Sequence, residues 1–124
     1  MSDVRLNIWG RELEMPVVFD CYENEDVLPE QRDALNRLLD TEEIEASKPA
    51  VEKYCLDMNR KEIGEQGITN IFKYVMPCGL YVRRSASSDR YVGLMCKYRF
   101  NPEDGLTILF KNEALCDIGT SDIL

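Results

Sequence analysis

Tyr91-Val92-Gly93-Leu94-Met95-Cys96-Lys97-Tyr98-Arg99-Phe100-Asn101-Pro102-Glu103-Asp104-Gly105-Leu106-Thr107-Ile108-Leu109-Phe110 is the stretch that decides the fold. Val92, Leu94, Cys96, Tyr98 and Phe100 fall on every second position, the period of a strand with one buried face. Asn101 to Gly105 breaks that period with a strong turn signal, because Pro102 presets one dihedral and Gly105 allows positive φ. Leu106, Ile108 and Phe110 resume it as the next strand. Toward the C-terminus, Lys111-Asn112-Glu113 is another turn and Leu115 to Ile118 a final strand. Toward the N-terminus, Ser85-Ala86-Ser87-Ser88-Asp89 reads as a turn, and Leu80 and Val82 alternate after Gly79. From Gly79 onward the chain is thus a meander of about four strands. Gly93, inside a long strand, marks a bulge or a close packing contact.

The same period opens the chain. Val4, Leu6 and Ile8 alternate with polar neighbours, and Leu13, Met15, Val17, Phe19 and Cys21 do so after Trp9-Gly10-Arg11, which predicts a hairpin. Pro16 has no N–H for a ladder, so it belongs at an edge or where its nitrogen points away from the partner strand. After Val27 the spacing becomes helical: Pro29 suits a first turn, and Ala34, Leu35, Leu38 and Leu39 form one face. A second helix is expected with Ser47 as N-cap, Pro49 in its first turn, and Val51, Tyr54, Cys55 and Met58 on one face. Thr41 to Ala46 is a short helical extension or a link, and Ile68 to Val75 a short helix or an extended piece before Pro77. The expected fold is α+β in a single domain over residues 1–124: a hairpin, two or three helices, then the meander, with the helices packed on one face of a mainly antiparallel sheet.

Composition removes many functions. The chain of 124 residues has no histidine, which excludes Ser-His-Asp and Cys-His nucleophiles and imidazole metal sites. Cys21, Cys55, Cys78, Cys96 and Cys116 form no Cys-x-x-Cys pair, so most are expected to be small buried hydrophobes, with Cys78, between Pro77 and Gly79, the likeliest to react. Residues 20–26 fail as a calcium loop, because Tyr22 falls on a ligand position and Glu25 replaces the required glycine. No phosphate-cradling glycine motif occurs, and no carboxylate pair is singled out by spacing. The expectation is a protein without enzymatic activity, metal or cofactor. With no signal-peptide pattern and no long apolar run, a cytoplasmic location away from the membrane is expected.

The charge is uneven. Of 23 acids and 15 bases, residues 1–62 hold 16 and 8, so the whole net charge of -8 lies in that half. Asp20, Glu23, Glu25, Asp26, Glu30, Asp33, Asp40, Glu42, Glu43 and Glu45 stand against only Arg32 and Arg37. Such a run serves solubility, or it steers a basic partner; it disfavours nucleic acid.

Residues 91–110, followed by Asp117-Ile118-Gly119-Thr120-Ser121-Asp122-Ile123, resemble a bacterial family of small uncharacterised domains, some of which occur beside toxin genes and are regarded as immunity proteins. A strand, an acidic turn ending in Gly-Leu, a second strand and a closing Gly-x-x-Asp are its pattern. Relatives often carry histidine just before the turn glycine, where this chain has Asp104, so an activity that uses that imidazole is not expected here. In physical terms Gly105 and Gly119 end turns and Asp122 is placed to cap the last backbone amides. The resemblance implies a binding protein that neutralises a toxin domain. On that reading the contact residues are Glu23, Glu25, Asp26, Glu30 and Asp33, with Tyr22 as aromatic anchor. The alternatives are a small-molecule binder with a pocket between helices and sheet, and a structural domain that self-associates through a sheet edge.

Overall fold

A computed structural model describes residues 3–84 and 88–124. The alternating N-terminal runs pair antiparallel as β1 (Asp3–Ile8) and β2 (Arg11–Phe19). Their two-residue turn has positive φ at both Trp9 (53°) and Gly10 (84°), the mirror-image turn whose twist matches that of the flanking strands. Tryptophan is rare in that conformation, and here packing holds it. Trp9 is 6% exposed, its ring lies against Phe72, and its indole N–H donates to Ser47 Oγ at 3.2 Å.

The helical spacing gives α1 (Pro29–Leu39), one short turn α2 (Glu43–Ala46) and α3 (Lys48–Ile63). A 3-10 turn at Ile71–Lys73 follows, then β3 (Val75–Val82), β4 (Tyr91–Tyr98), β5 (Leu106–Lys111) and β6 (Ala114–Gly119). The result is an α+β arrangement with a six-stranded, mostly antiparallel sheet in the order β1-β2-β3-β4-β5-β6. The one parallel pair is β2 with β3, the two strands that the helices connect. Ala34, Leu35 and Leu38 of α1 and Val51 and Cys55 of α3 share an apolar cluster with Leu80, Val82, Leu94, Ile108 and Phe110 of the strands. Tyr98 donates to Asn59 Oδ1 at 2.6 Å, which ties β4 to the kink in α3.

Pro16 explains how β2 changes partner. Ile8 and Arg11 flank a two-residue loop and exchange hydrogen bonds, so the backbones of Arg11, Leu13 and Met15 face β1 and those of Glu12, Glu14 and Pro16 face away. Pro16 thus costs β1 nothing and offers β3 no donor. The ladder to β3 begins only at Val17, and Asp20 N–H continues it to Val82 O at 3.0 Å.

Several expectations are corrected. Ser47 does not cap α3 with its side chain; its hydroxyl donates to Ile44 O at 2.6 Å and accepts from Trp9. Met58 is 61% exposed and does not join Val51 and Cys55 in the core; the non-helical φ of -137° at Asn59 follows it. Of the two readings of Gly93, the close packing contact is the one found, with a Cβ there falling 2.3 Å from Leu124 Cδ2. The register shifts lie at Cys78 in β3 and Cys116 in β6. β3 starts at Val75 and includes Pro77, earlier than the alternation from Gly79 suggests. Asp122 accepts from the Thr120 hydroxyl, with no backbone cap formed. The turn expected at Ser85 to Asp89 falls mostly outside the described residues.

The glycines separate rigid from yielding contacts. Gly105 has φ +66° and a Cβ there would stand 2.6 Å from the backbone oxygen of Cys96, whereas Gly67 has open space around it. Gly105→Ala is expected to cost roughly 1–3 kcal/mol in urea denaturation, and Gly67→Ala to be near neutral or slightly stabilising.

Candidate functional site

Of the acidic residues singled out by charge, Asp20, Glu23, Glu25, Asp26 and Glu30 lie on or beside the connection between β2 and α1, while Asp40, Glu42, Glu43 and Glu45 lie at the far end of α1 and in or beside α2. Pro29 at the helix start and a buried glutamine fix that connection. Gln31 is 1% exposed; its Oε1 accepts from Leu28 N–H at 3.0 Å, and its Nε2 donates to Asp20 O at 2.8 Å. A longer bond of 3.4 Å from the same nitrogen reaches Val82 O at the end of β3. One side chain therefore satisfies an orphan amide at the helix start and ties the loop to the sheet. Burying an amide is tolerable because its hydrogen-bonding groups are used.

Within the loop, Tyr22 is 67% exposed yet held in place. The Arg84 guanidinium lies 4.2 Å from its ring centroid, and Arg84 grips Glu25 through two bonds of 2.9 and 3.1 Å. Glu25 closes the circuit by accepting Tyr22 N–H at 3.2 Å, and Glu25 N–H donates to Tyr22 O at 3.0 Å. The Arg84 guanidinium, followed by the Tyr22 amide, holds the Glu25 carboxyl below its ordinary value of 4.5, and the same pairing raises Arg84. The fork geometry and stacking on an aromatic face distinguish this pair from the exposed Lys53–Asp57 and Arg5–Glu14 pairs, which contribute little.

The six expected contact residues do not share one role. Glu23, Asp26 and Glu30 are exposed and, among the described residues, make no ion pair. Asp33 is exposed but pairs with Arg37 at 2.7 Å one helical turn on. Glu25 is turned inward onto Arg84 and holds Tyr22. Arg84 and Gln31 escaped sequence reasoning. Gln31 had a local signal, since a glutamine three residues after the residue before a helix reaches back to the free amide there. Arg84 had none, being 59 residues from its partner in a half with no net charge.

A cleft of about 170 Å³ lies beside α1, lined among the described residues by Glu30, Asp33, Arg83, Asp89 and Arg90. Its cations are engaged: Arg90 forks onto Glu113 at 2.8 and 2.9 Å, and Arg83 lies over Tyr91 and donates to Ile123 O. Among the described residues no group of three His, Cys, Asp or Glu is placed to hold a metal ion. No helix is long and apolar enough to cross a membrane. The cysteines are less buried than expected. Only Cys55 and Cys96 are buried and Cys21 is half-buried; Cys78 is exposed on the face of β3 opposite buried Val75 and Pro77, and Cys116 is exposed in β6, where Ala114, Leu115 and Asp117 are exposed as well. Burial pushes the Cys55 thiol up to about 11 and raises Cys96 as well, so neither supplies a thiolate near neutral pH.

The model of a family described as a domain of unknown function (DUF6985) matches residues 2–124, and the chain belongs to that family. No curated protein and no solved structure matches it.

Because the folded-state pKa of Glu25 is lowered, the stability it contributes is complete above its ordinary value of 4.5 and is lost as pH falls through the lower folded value. Carboxyl NMR titration is expected to place Glu25 below 4.5 and to return it toward that value in Arg84→Gln, with the Tyr22 ring signals losing their dispersion. In the native protein a thiol reagent is expected to label Cys78 and Cys116 first and Cys55 and Cys96 only on unfolding.

Proposed function

We propose that this member of the family is a non-catalytic binding protein of the immunity type, which neutralises a toxin domain in the cytoplasm by covering a basic surface with its acidic one. The observation that carries this reading is Tyr22, a large exposed ring clamped by Arg84 and Glu25 in the middle of unpaired carboxylates. An exposed aromatic that is already held loses little conformational freedom on binding, which is what an interface anchor requires. Glu23, Asp26 and Glu30 then supply the field that steers a cationic partner. Asp33 contributes less, since Arg37 already balances it. Glu25 acts through Tyr22 as a positioning residue. Covering a basic cleft needs no catalysis by the inhibitor, and speed of encounter is what acidic surfaces give best. A small-molecule site is less well supported: the cleft beside α1 is about 170 Å³, and its cations are already engaged, Arg90 by Glu113 and Arg83 by Tyr91 and Ile123 O.

Tagged protein incubated with lysate of its source cells at low and at moderate salt is expected to retain a basic partner, more weakly at the higher salt. With that partner in hand, the triple variant Glu23→Lys, Asp26→Lys, Glu30→Lys is expected to lower the association rate roughly tenfold and to flatten its salt dependence. Tyr22→Ala is expected to act on dissociation instead. Unchanged rates in both variants sink the assignment.

A further inference from the structure

The two edges of the sheet are not equivalent. β6 carries a register shift that leaves Cys116 unpaired, and such a bulge twists an edge away from further pairing. β1 pairs with β2 residue for residue from Asp3 to Ile8 with no shift and contains no proline. Because Ile8, Leu6 and Val4 spend their backbone groups on β2, the N–H and C=O groups of Asp3, Arg5 and Asn7 point outward. Among the described residues they find no other backbone partner. The hairpin is held firmly at its tip, where Gly10 N–H donates to the Glu45 carboxylate at 3.2 and 3.3 Å and Trp9 donates to Ser47.

Beside this edge runs a groove of about 350 Å³ between β1 and the end of α1 with α2. Leu6, Leu39 and Ile44 give it apolar walls, and Glu42 and Glu45 stand on it. Asp40 and Glu43 lie next to these in sequence, and Arg5, the cation at the groove, is engaged by Glu12 and Glu14 at 3.4 and 3.3 Å. We propose that β1 accepts an extended, basic segment of a partner chain as an added strand, with alternate apolar side chains entering this groove and the field of the carboxylates beside it attracting the lysines or arginines between them. Backbone pairing supplies affinity in this mode, and the groove with its carboxylates supplies specificity. A second copy of the chain fits less well, since β1 would bring to a groove edged by Glu42 and Glu45 a single cation, Arg5, that Glu12 and Glu14 already engage. The proposal uses a surface separate from Tyr22 and its acids, so it stands or falls apart from the immunity reading.

The test is binding of a fluorescent, end-capped peptide of about eight alternating lysine and valine residues, read by anisotropy against a glutamate–valine peptide. The lysine peptide is expected to bind and the glutamate peptide not. Methylating the backbone nitrogens of every second residue is expected to abolish binding in one frame and leave it in the other, because only one edge of an added strand faces β1. Asn7→Pro removes an outward donor without touching the β1–β2 ladder and is expected to weaken binding about tenfold. Glu42→Lys is expected to weaken it too, while the Glu23, Asp26, Glu30 triple variant leaves it within about twofold. Equal binding by both methylated frames overturns the proposal, as does binding lost in the triple variant or blocked by dimerisation of the protein. The methylated peptides keep the test valid should Asn7→Pro fail to fold.

Discussion

Three register pairs, Val17 with Leu80, Val18 with Tyr81 and Phe19 with Val82, join the N-terminal hairpin to the C-terminal meander, and the rest of the molecule depends on this short parallel ladder. A parallel pair requires a long crossover, and the helices are that crossover. Its length is limited from one side by Pro16, which has no donor to give β3, so the ladder begins only at Val17. Beyond Phe19 the ladder continues as Asp20 N–H to Val82 O and as the buried amide of Gln31, so the acidic loop leaves the sheet in one defined direction.

The acidic side chains divide into those that hold structure and those that stay unpaired among the described residues. Glu25, Glu45, Glu65 and Glu113 each accept hydrogen bonds that fix a loop or a hairpin end. Glu65 accepts from the Tyr74 hydroxyl at 2.6 Å and from Thr69, which keeps its carboxyl below the ordinary value and raises the tyrosine. Glu23, Asp26, Glu30 and Glu42 have no such employment among the described residues. The net charge of -8 is therefore concentrated in its effect on two surfaces, the loop around Tyr22 and the rim beside β1. On the two proposals made above, the first would steer a cationic protein toward an aromatic anchor and the second would pair with an extended chain.

The acidic segment was legible as a segment, and its composition located the candidate face. Composition did not separate residues that point outward from one that turns back. Glu25 and Asp26 are neighbours of identical charge, and only the position of Arg84 makes the first a structural clamp and leaves the second free. The cysteines teach the same lesson: Cys78 and Cys96 sit on neighbouring strands, yet Cys78 lies on the outer face of β3 and Cys96 in the core that β4 shares with the helices.

By itself the sequence determined the element types, since period-two alternation in the strands, apolar positions three and four apart in α1, and the turn chemistry of Trp9-Gly10 and Asn101 to Gly105 are all properties of neighbouring residues. It likewise determined the absence of imidazole chemistry and the acidic bias of the first half. The tertiary structure alone decided that β2 divides its pairing between β1 and β3, that α3 kinks at Asn59, that Met58 is exposed, and that Leu124 folds onto Gly93. It alone brought Arg84 to Tyr22 and Glu25. These are contacts between residues far apart in the chain, set by which backbone donors are already spent and which space is already filled, and no local pattern carries that information.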